Sequence, residues 1–459
     1  MARSLVHAGL VLTAVAGLAA CEGLFGVDFD GLTARPGPTM SPDGGGSDAD
    51  VRDDGGCAAT DPAQGCGSCT PCATAEHGVA ACEEGRCAIA CDPGYRRCSA
   101  GCCPLFEAAL AAGTRHTCAT AQTGALYCWG DNASGQLGDR TRDDRSTPKL
   151  VFGLEGGARG VAVGVDFSFS VATSGAVSAW GENRFGSLAD GTTTARLSPW
   201  PVEALGLETR FVVAAGWHAC AVSRTGRVSC WGYNVAGAVG DGTTSEVRTP
   251  KPLVQAEPFV AIAKSTAHAC GVGVSGALHC WGNNDRGQLG IDAGTVSLSP
   301  VRVPNVVDAA DVATGSGHTC IATRAGGVRC WGSNVQSQLG VGDDDPRSGI
   351  VDVLPASAGV RQIAAGDDYT CVVSAAGVVS CWGFLGANLG MGTNGADVAP
   401  LPVVVDVGGA VASLSAGAKH ACTRLLDGRV RCWGSNTSGQ LGDGTKIDRR
   451  APVDALLPD

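Results

Sequence analysis

Apolar and polar positions along this chain fall into short alternating runs, without the 3.6-residue stripe of an amphipathic helix. The stretch 410–456 shows the pattern. AVASLSAG (410–417) predicts an apolar strand and KHACTRL (419–425) an alternating one. LDG (426–428) is a turn, and RVRCWG (429–434) a third strand. A polar loop, SNTSGQLGDGTKIDRR (435–450), leads to APVDAL (451–456), a short strand opened by a proline, as an edge strand tolerates.

The same unit recurs. Trp-Gly pairs begin at Trp129, Trp180, Trp231, Trp281, Trp331, Trp382 and Trp433, 50 or 51 residues apart. Four short antiparallel strands per unit at this period predict the blade of a β-propeller. Helical solenoids share the period, but the units are too rich in Gly and Val. A single blade buries only one side of its sheet, so seven must stack, and they close a ring. The expectation is an all-β, seven-bladed β-propeller of four-stranded antiparallel blades over 105–459. The terminal APVDALLPD is expected to pair with or abut the first strand, Phe106 to Ala112.

Cysteines add a covalent layer. In six units a Cys precedes Trp-Gly and another lies ten residues upstream. The pairs are Cys118 with Cys128, Cys220 with Cys230, Cys270 with Cys280, Cys320 with Cys330, Cys371 with Cys381, and Cys422 with Cys432. The second unit replaces both together, with Phe169 and Ala179. Cys118 and Cys128 are symmetric about Thr123, so a three-residue hairpin Gln122-Thr123-Gly124 sets them opposite each other, with Gly124 as the left-handed residue. Opposed positions lie within disulfide range. Buried free thiols are the alternative.

Disulfides require an oxidising compartment. MARSLVHAGLVLTAVAGLAAC, Met1 to Cys21, has an early Arg, an apolar run and small residues before the Cys. It reads as an export signal, too short for a membrane span. LAAC (18–21) resembles the bacterial lipobox, in which the Cys becomes the acylated first residue; simple secretion is the alternative. Of 23 cysteines, twelve sit in the hairpins and ten between Cys57 and Cys103, leaving Cys21 unpaired. The expected organisation is a signal peptide (1–20), a lipidated N-terminus with a flexible acidic Gly/Pro/Ser/Asp linker (21–56), a cysteine-rich module (57–104) and the propeller (105–459). The module's connectivity is not readable. Cys66-x-x-Cys69-x-x-Cys72 has metal-like spacing but no matching fourth ligand.

CWGDNASGQLGD, CWGNNDRGQLG and CWGSNTSGQLGDGT, each with a histidine and the first cysteine upstream, resemble the repeats of the regulator of chromosome condensation family. The resemblance covers about residues 105–459 and implies a seven-bladed propeller. The family includes a eukaryotic exchange factor for a small GTPase that also binds chromatin, and a secreted bacterial inhibitor of β-lactamases. Fold does not carry function. Exchange activity in that family uses a wedge inserted in one blade, and no unit here has the length for one. Chromatin binding needs a cationic footprint; the formal net charge is −11.

Five histidines occupy one repeat position: His116, His218, His268, His318 and His420, with Phe167 and Tyr369 in the other two units. Spread around a ring they do not converge on an ion. Packing is expected, with one ring nitrogen on a loop carbonyl. The Asn after Trp-Gly is expected to tie its own loop, and each Trp to pack in the core or between blades with its N–H bonded. Carboxylates at GDGT (from Gly240) and GVGDDDPRSG (from Gly340) offer calcium ligands without EF-hand spacing. No catalytic grouping, cofactor fingerprint or metal site stands out.

Constant strands with variable loops suggest a presented surface. In a meander, the turn between strands one and two shares a face with the loop after Trp-Gly. Candidate binding residues on that face are Trp200 and Trp217, as one anchor patch, with Arg115, Asp367 and Asp368. The expectation is a monomeric scaffold anchored in the bacterial cell envelope through Cys21, the membrane undetermined. Its partner would be another envelope or extracellular protein or polysaccharide, not nucleic acid. The alternatives are an extracellular hydrolase or lyase on carbohydrate or protein, a purely structural component, and exchange-factor-like activity inherited from the family.

Overall fold

The computed structural model describes residues 109–384 and 397–458, with the backbone of four short strands between Gly78 and Pro104. Gly78–Glu83 pairs with Arg86–Cys91, and Tyr95–Cys98 with Gly101–Pro104. The export signal, Cys21 and the acidic linker lie outside the described residues. No helix among the described residues is long and apolar enough to cross a membrane.

From Leu110 onward the chain forms seven four-stranded antiparallel sheets, each a meander of strands consecutive in sequence. In the first blade these are Leu110–Ala112, His116–Thr120, Leu126–Gly130 and Arg145–Leu150, from inside to outside. In the last they are Val411–Ala416, His420–Leu425, Val430–Gly434 and Arg449–Asp454. The chain's end therefore supplies the outer strand of its own blade and does not pair with the first strand. The ring closes by packing instead: Ala455 shares a buried cluster with Ala119, Trp129 and Cys432, and Leu110 packs against it. The reason is register. Every unit already carries four strands, so no blade is left short for the other terminus to complete. The first strand is Leu110–Ala112, and its expected start at Phe106 lies outside the described residues.

All six cysteine pairs are disulfide-bonded, which removes the free-thiol alternative. The bridges join Cys118 to Cys128, Cys220 to Cys230, Cys270 to Cys280, Cys320 to Cys330, Cys371 to Cys381, and Cys422 to Cys432, with Cα atoms 4.0–4.1 Å apart. Each pair is directly opposed in the register of its hairpin. The short spacing belongs to the close, non-hydrogen-bonded positions of an antiparallel ladder. Phe169 and Ala179 pair identically in the second blade, and the Phe169 ring fills the space against Trp231, 5.7 Å between centroids. The hairpin glycine is left-handed as expected, φ +81° at Gly124. The glycine after each tryptophan has a second reason to be glycine. Gly130 has φ +109°, and a Cβ there would collide with the Arg115 carbonyl.

The seven repeat tryptophans are fully buried. Each of six donates its indole N–H to a loop carbonyl of the preceding blade, for example Trp180 to Gln136 O at 2.9 Å and Trp331 to Gln288 O at 3.0 Å. One residue thus fills a cavity and locks two blades together.

Candidate binding face at the second and third blades

The repeat histidines define the interior of the loop face. His116 Nε2 lies 2.9 Å from Ser168 Oγ in the next blade, and that hydroxyl donates to Gln136 O at 2.8 Å. The same relay joins His268, Thr319 and Gln288 O; His318, Thr370 and Gln338 O; and His420, Thr117 and Gln440 O. Since each hydroxyl gives its hydrogen to the carbonyl, each histidine must donate from Nε2. The expected histidine–carbonyl bond is therefore indirect: the interposed hydroxyl spans the gap between blades. Where the next blade offers alanine, the ring changes. Phe167 faces the blade carrying Ala219, and the Tyr369 hydroxyl, facing the blade of Ala421, donates to backbone carbonyls at Gly417 and His420, the nearer at 2.6 Å. The partner signal was present in the sequence, one residue after each ring position.

Burial lowers the pKa of these rings. His116 and His268 are pushed down to about 3, His318 and His420 to about 4, desolvation being the main cause. They are neutral structural groups, unsuited to proton transfer near pH 7.

His218 departs from the pattern. Its counterpart is Ala269, and neither of its ring nitrogens has a partner. Lys264 takes the hydroxyl's place, donating to Ala238 O at 3.1 Å with Nζ 3.2 Å from Cys220 Sγ. Burial pushes this amine down to about 7.

The long loops are internally tied. Asn132 accepts from Leu137 N at 3.0 Å and donates to Asp139 at 3.1 Å; Asp139 also accepts from Thr141 and the Arg145 guanidinium. Asp241, at the same repeat position, binds Lys251, and Asp343, two positions later in its own repeat, binds Arg347. The two stretches considered for calcium thus commit these carboxylates to cations of the chain itself.

The seven inner turns surround an axial cavity of about 100 Å³, with Lys264, Thr314 and Asp367 in its wall. The pKa values of Asp367 and Asp368 are both raised, chiefly by burial. Asp368 also accepts Gln338 Nε2 at 3.3 Å. Arg115 bridges two blades, 2.7 Å from Asp131 and 3.8 Å from Asp166.

Turn and long loop do share a face: Tyr233 N donates to Trp217 O at 3.0 Å, as Asp131 N does to Arg115 O at 2.9 Å. The two candidate tryptophans are placed apart on the wheel. Trp200 is on the outer strand Arg196–Pro201, half exposed beneath the Arg196 guanidinium at 4.3 Å. Trp217 is on the inner turn of the third blade, where it meets Phe185 and Tyr233 at 5.7 and 6.0 Å between centroids. Phe185 and Tyr233 are 4.9 Å apart. An outer strand and an inner turn lie at different radii, so the aromatic patch is built from loop residues and not from the tryptophan pair. The sequence held the signal: the positions of Phe185 and Tyr233 are polar or small in most other units.

Family models described as "Regulator of chromosome condensation (RCC1) repeat" match residues 123–171, 275–322 and 427–458, and 108–136, 309–338 and 411–440. The ultraviolet-B receptor UVR8 of Arabidopsis thaliana is 35% identical over 143 residues, 31% of this chain and 32% of that protein. The human E3 ubiquitin-protein ligase HERC2 is 32% identical over 145 residues, again 31% of this chain but 3% of that protein. The aligned stretch thus spans a third or less of these relatives. Among solved structures, yeast RCC1 (Prp20) bound to Kap60 superposes with a TM-score of 0.65 at 20% identity, covering 72% of this chain and 84% of that one. Human WBSCR16 gives 0.65 at 21%, covering 72% and 94%. These structures share the fold. Repeat models, register and ring closure agree: the chain carries regulator of chromosome condensation repeats, closed into a seven-bladed β-propeller.

Proposed function

We propose that this protein is an exported binding scaffold, anchored to the bacterial cell envelope through Cys21, that holds a macromolecular partner on its loop face. The observation that carries the reading is the aromatic group Phe185, Trp217 and Tyr233 on that face. The repeated His, Trp and Asn positions are committed to holding the wheel together, whereas these three rings have no such repeated task. Solved relatives support use of the fold for binding: yeast Prp20 is described with Kap60 and by its binding to Gsp1p and histones. The six disulfides fit an oxidising compartment. The net charge of −11 argues against nucleic acid as partner.

The test is capture from native envelope with the full chain as bait, comparing the unaltered protein with Trp217→Ala and Trp200→Ala. Loss of the partner with Trp217→Ala supports the reading; capture indifferent to both changes and to Arg115→Ala sinks it. The anchor is tested separately by labelling with a fatty-acid analogue, which Cys21→Ala abolishes. A second reading, hydrolysis at the axial cavity, draws on the raised carboxyls of Asp367 and Asp368. It requires an activity on carbohydrate or protein that Asp367→Asn removes.

A further inference from the structure

Phe185, Trp217 and Tyr233 meet at the seam between the second and third blades, with ring planes 55–78° apart. Their backbone is fixed. The Trp217 carbonyl accepts both Tyr233 N at 3.0 Å and Ser187 Oγ at 2.8 Å. Val165 N donates to Gly216 O at 3.0 Å, setting the turn that bears Asp166 against the turn that bears Trp217. Glu182 is one blade back, on the seam with the first blade, where Ser134 Oγ donates to it at 3.5 Å. It reaches the corner through Arg184, whose guanidinium is 3.5 Å from its carboxylate and 5.9 Å from the Phe185 ring centroid. Val235, 63% exposed, follows two residues after Tyr233.

We infer that this corner is a carbohydrate-stacking site for a neutral oligosaccharide of equatorially substituted pyranoses. The inference rests on the loop-face reading above and names the ligand. Size is the first argument. An aromatic side chain carries roughly 150–250 Å² of surface, and each of the three rings is partly buried, so what they leave facing solvent is on the scale of one or two sugar rings. A stable protein interface covers about 800 Å² on each partner around an apolar centre. Chemistry is the second. Equatorial substitution leaves a pyranose with flat faces of axial C–H groups, which pack on an aromatic ring while the hydroxyls point outward to a polar rim. The exposed Arg184, 5.9 Å from the Phe185 ring centroid and paired with Glu182 at 3.5 Å, brings two planar groups to that rim, able to engage paired hydroxyls. Charge is the third. Arg184 beside Phe185 is offset by Glu182 at 3.5 Å, so the corner holds no net positive charge to draw an anionic glycan. The fixed backbone leaves little to order on binding.

The experiment is calorimetric titration of the full chain with cellohexaose, chitohexaose and oligogalacturonate. Trp217→Ala and Tyr233→Ser are expected to fold, because the equivalent positions elsewhere in the wheel are Ala267 and Ser333. The expected result is binding of at least one neutral hexaose, weakened roughly tenfold or more by either change and unaltered by Trp200→Ala. Affinity for oligogalacturonate alone overturns the inference, as does hexaose binding that ignores Trp217→Ala or the absence of binding up to about 10 mM. A protein partner captured through Trp217 and not displaced by hexaose also overturns it while leaving the scaffold reading intact. Failure of both capture and titration removes both.

Discussion

Thr370→Ala breaks one relay between the fifth and sixth blades. The Thr370 hydroxyl accepts from His318 Nε2 at 2.9 Å and donates to Gln338 O at 3.1 Å. All three groups are buried. The substitution leaves a buried N–H without an acceptor, at a cost of about 1–3 kcal/mol. Adding His318→Phe removes the stranded donor and recreates the pairing of Phe167 with Ala219 that the second and third blades already use. The double variant should therefore recover most of the loss, a coupling of about 1–2 kcal/mol. Acid adds an independent signature. Burial lowers His318 to about 4 in the folded protein, from an ordinary value of 6.5. A histidine depressed on folding contributes stability that is present above 6.5 and lost as pH falls toward 4. At 1.36 kcal/mol per pH unit, that loss is about 3 kcal/mol. Chemical denaturation with the disulfides intact, at pH 7, 6 and 5, measures both effects. The single variant should lower the midpoint at pH 7, and the double should restore it with a flatter fall in acid. A double variant no more stable than Thr370→Ala, with undiminished acid sensitivity, refutes the relay.

Lys264→Met should stabilise the protein at pH 7. The buried amine is depressed to about 7, so its penalty is largest below that value and fades as pH rises toward 10.5; the variant should be flatter across that range in a melting series. Phe169→Cys with Ala179→Cys should form a seventh hairpin disulfide, visible in a non-reducing peptide map. Its melting point should change little, because roughly 2–3 kcal/mol from loop closure is set against about 3 kcal/mol for losing the ring packed on Trp231. Asp139→Ala removes the acceptor for Asn132, Thr141 and Arg145 and should expose that loop to proteolysis at a cost of about 1–3 kcal/mol.

How much of this was legible beforehand depends on range. The period of 50–51 residues, the alternation, the hairpin glycine and the paired cysteines fix strands, register and bridges, because each is a relation within one hairpin. Cys118 faces Cys128 for the same reason that Thr123 is the centre of the turn, and Cys230, Cys280, Cys330 and Cys381 meet their partners by the same ten-residue rule. The four-strand unit likewise fixes the blade, and seven copies fix the wheel. What crosses between blades depended on tertiary contact. Thr370 accepts the His318 N–H although 52 residues separate them, and Lys264 replaces a hydroxyl that Ala269 lacks. The end of the chain stays in its own blade for a reason visible only when all strands are counted in place. The aromatic corner is the same case: Phe185, Trp217 and Tyr233 come from a long loop, an inner turn and a second loop, and only closure of the ring gathers them. Local hydrogen bonding and side-chain alternation act over a few residues and are written in order along the chain, whereas distances between blades are set by how seven sheets pack around one axis.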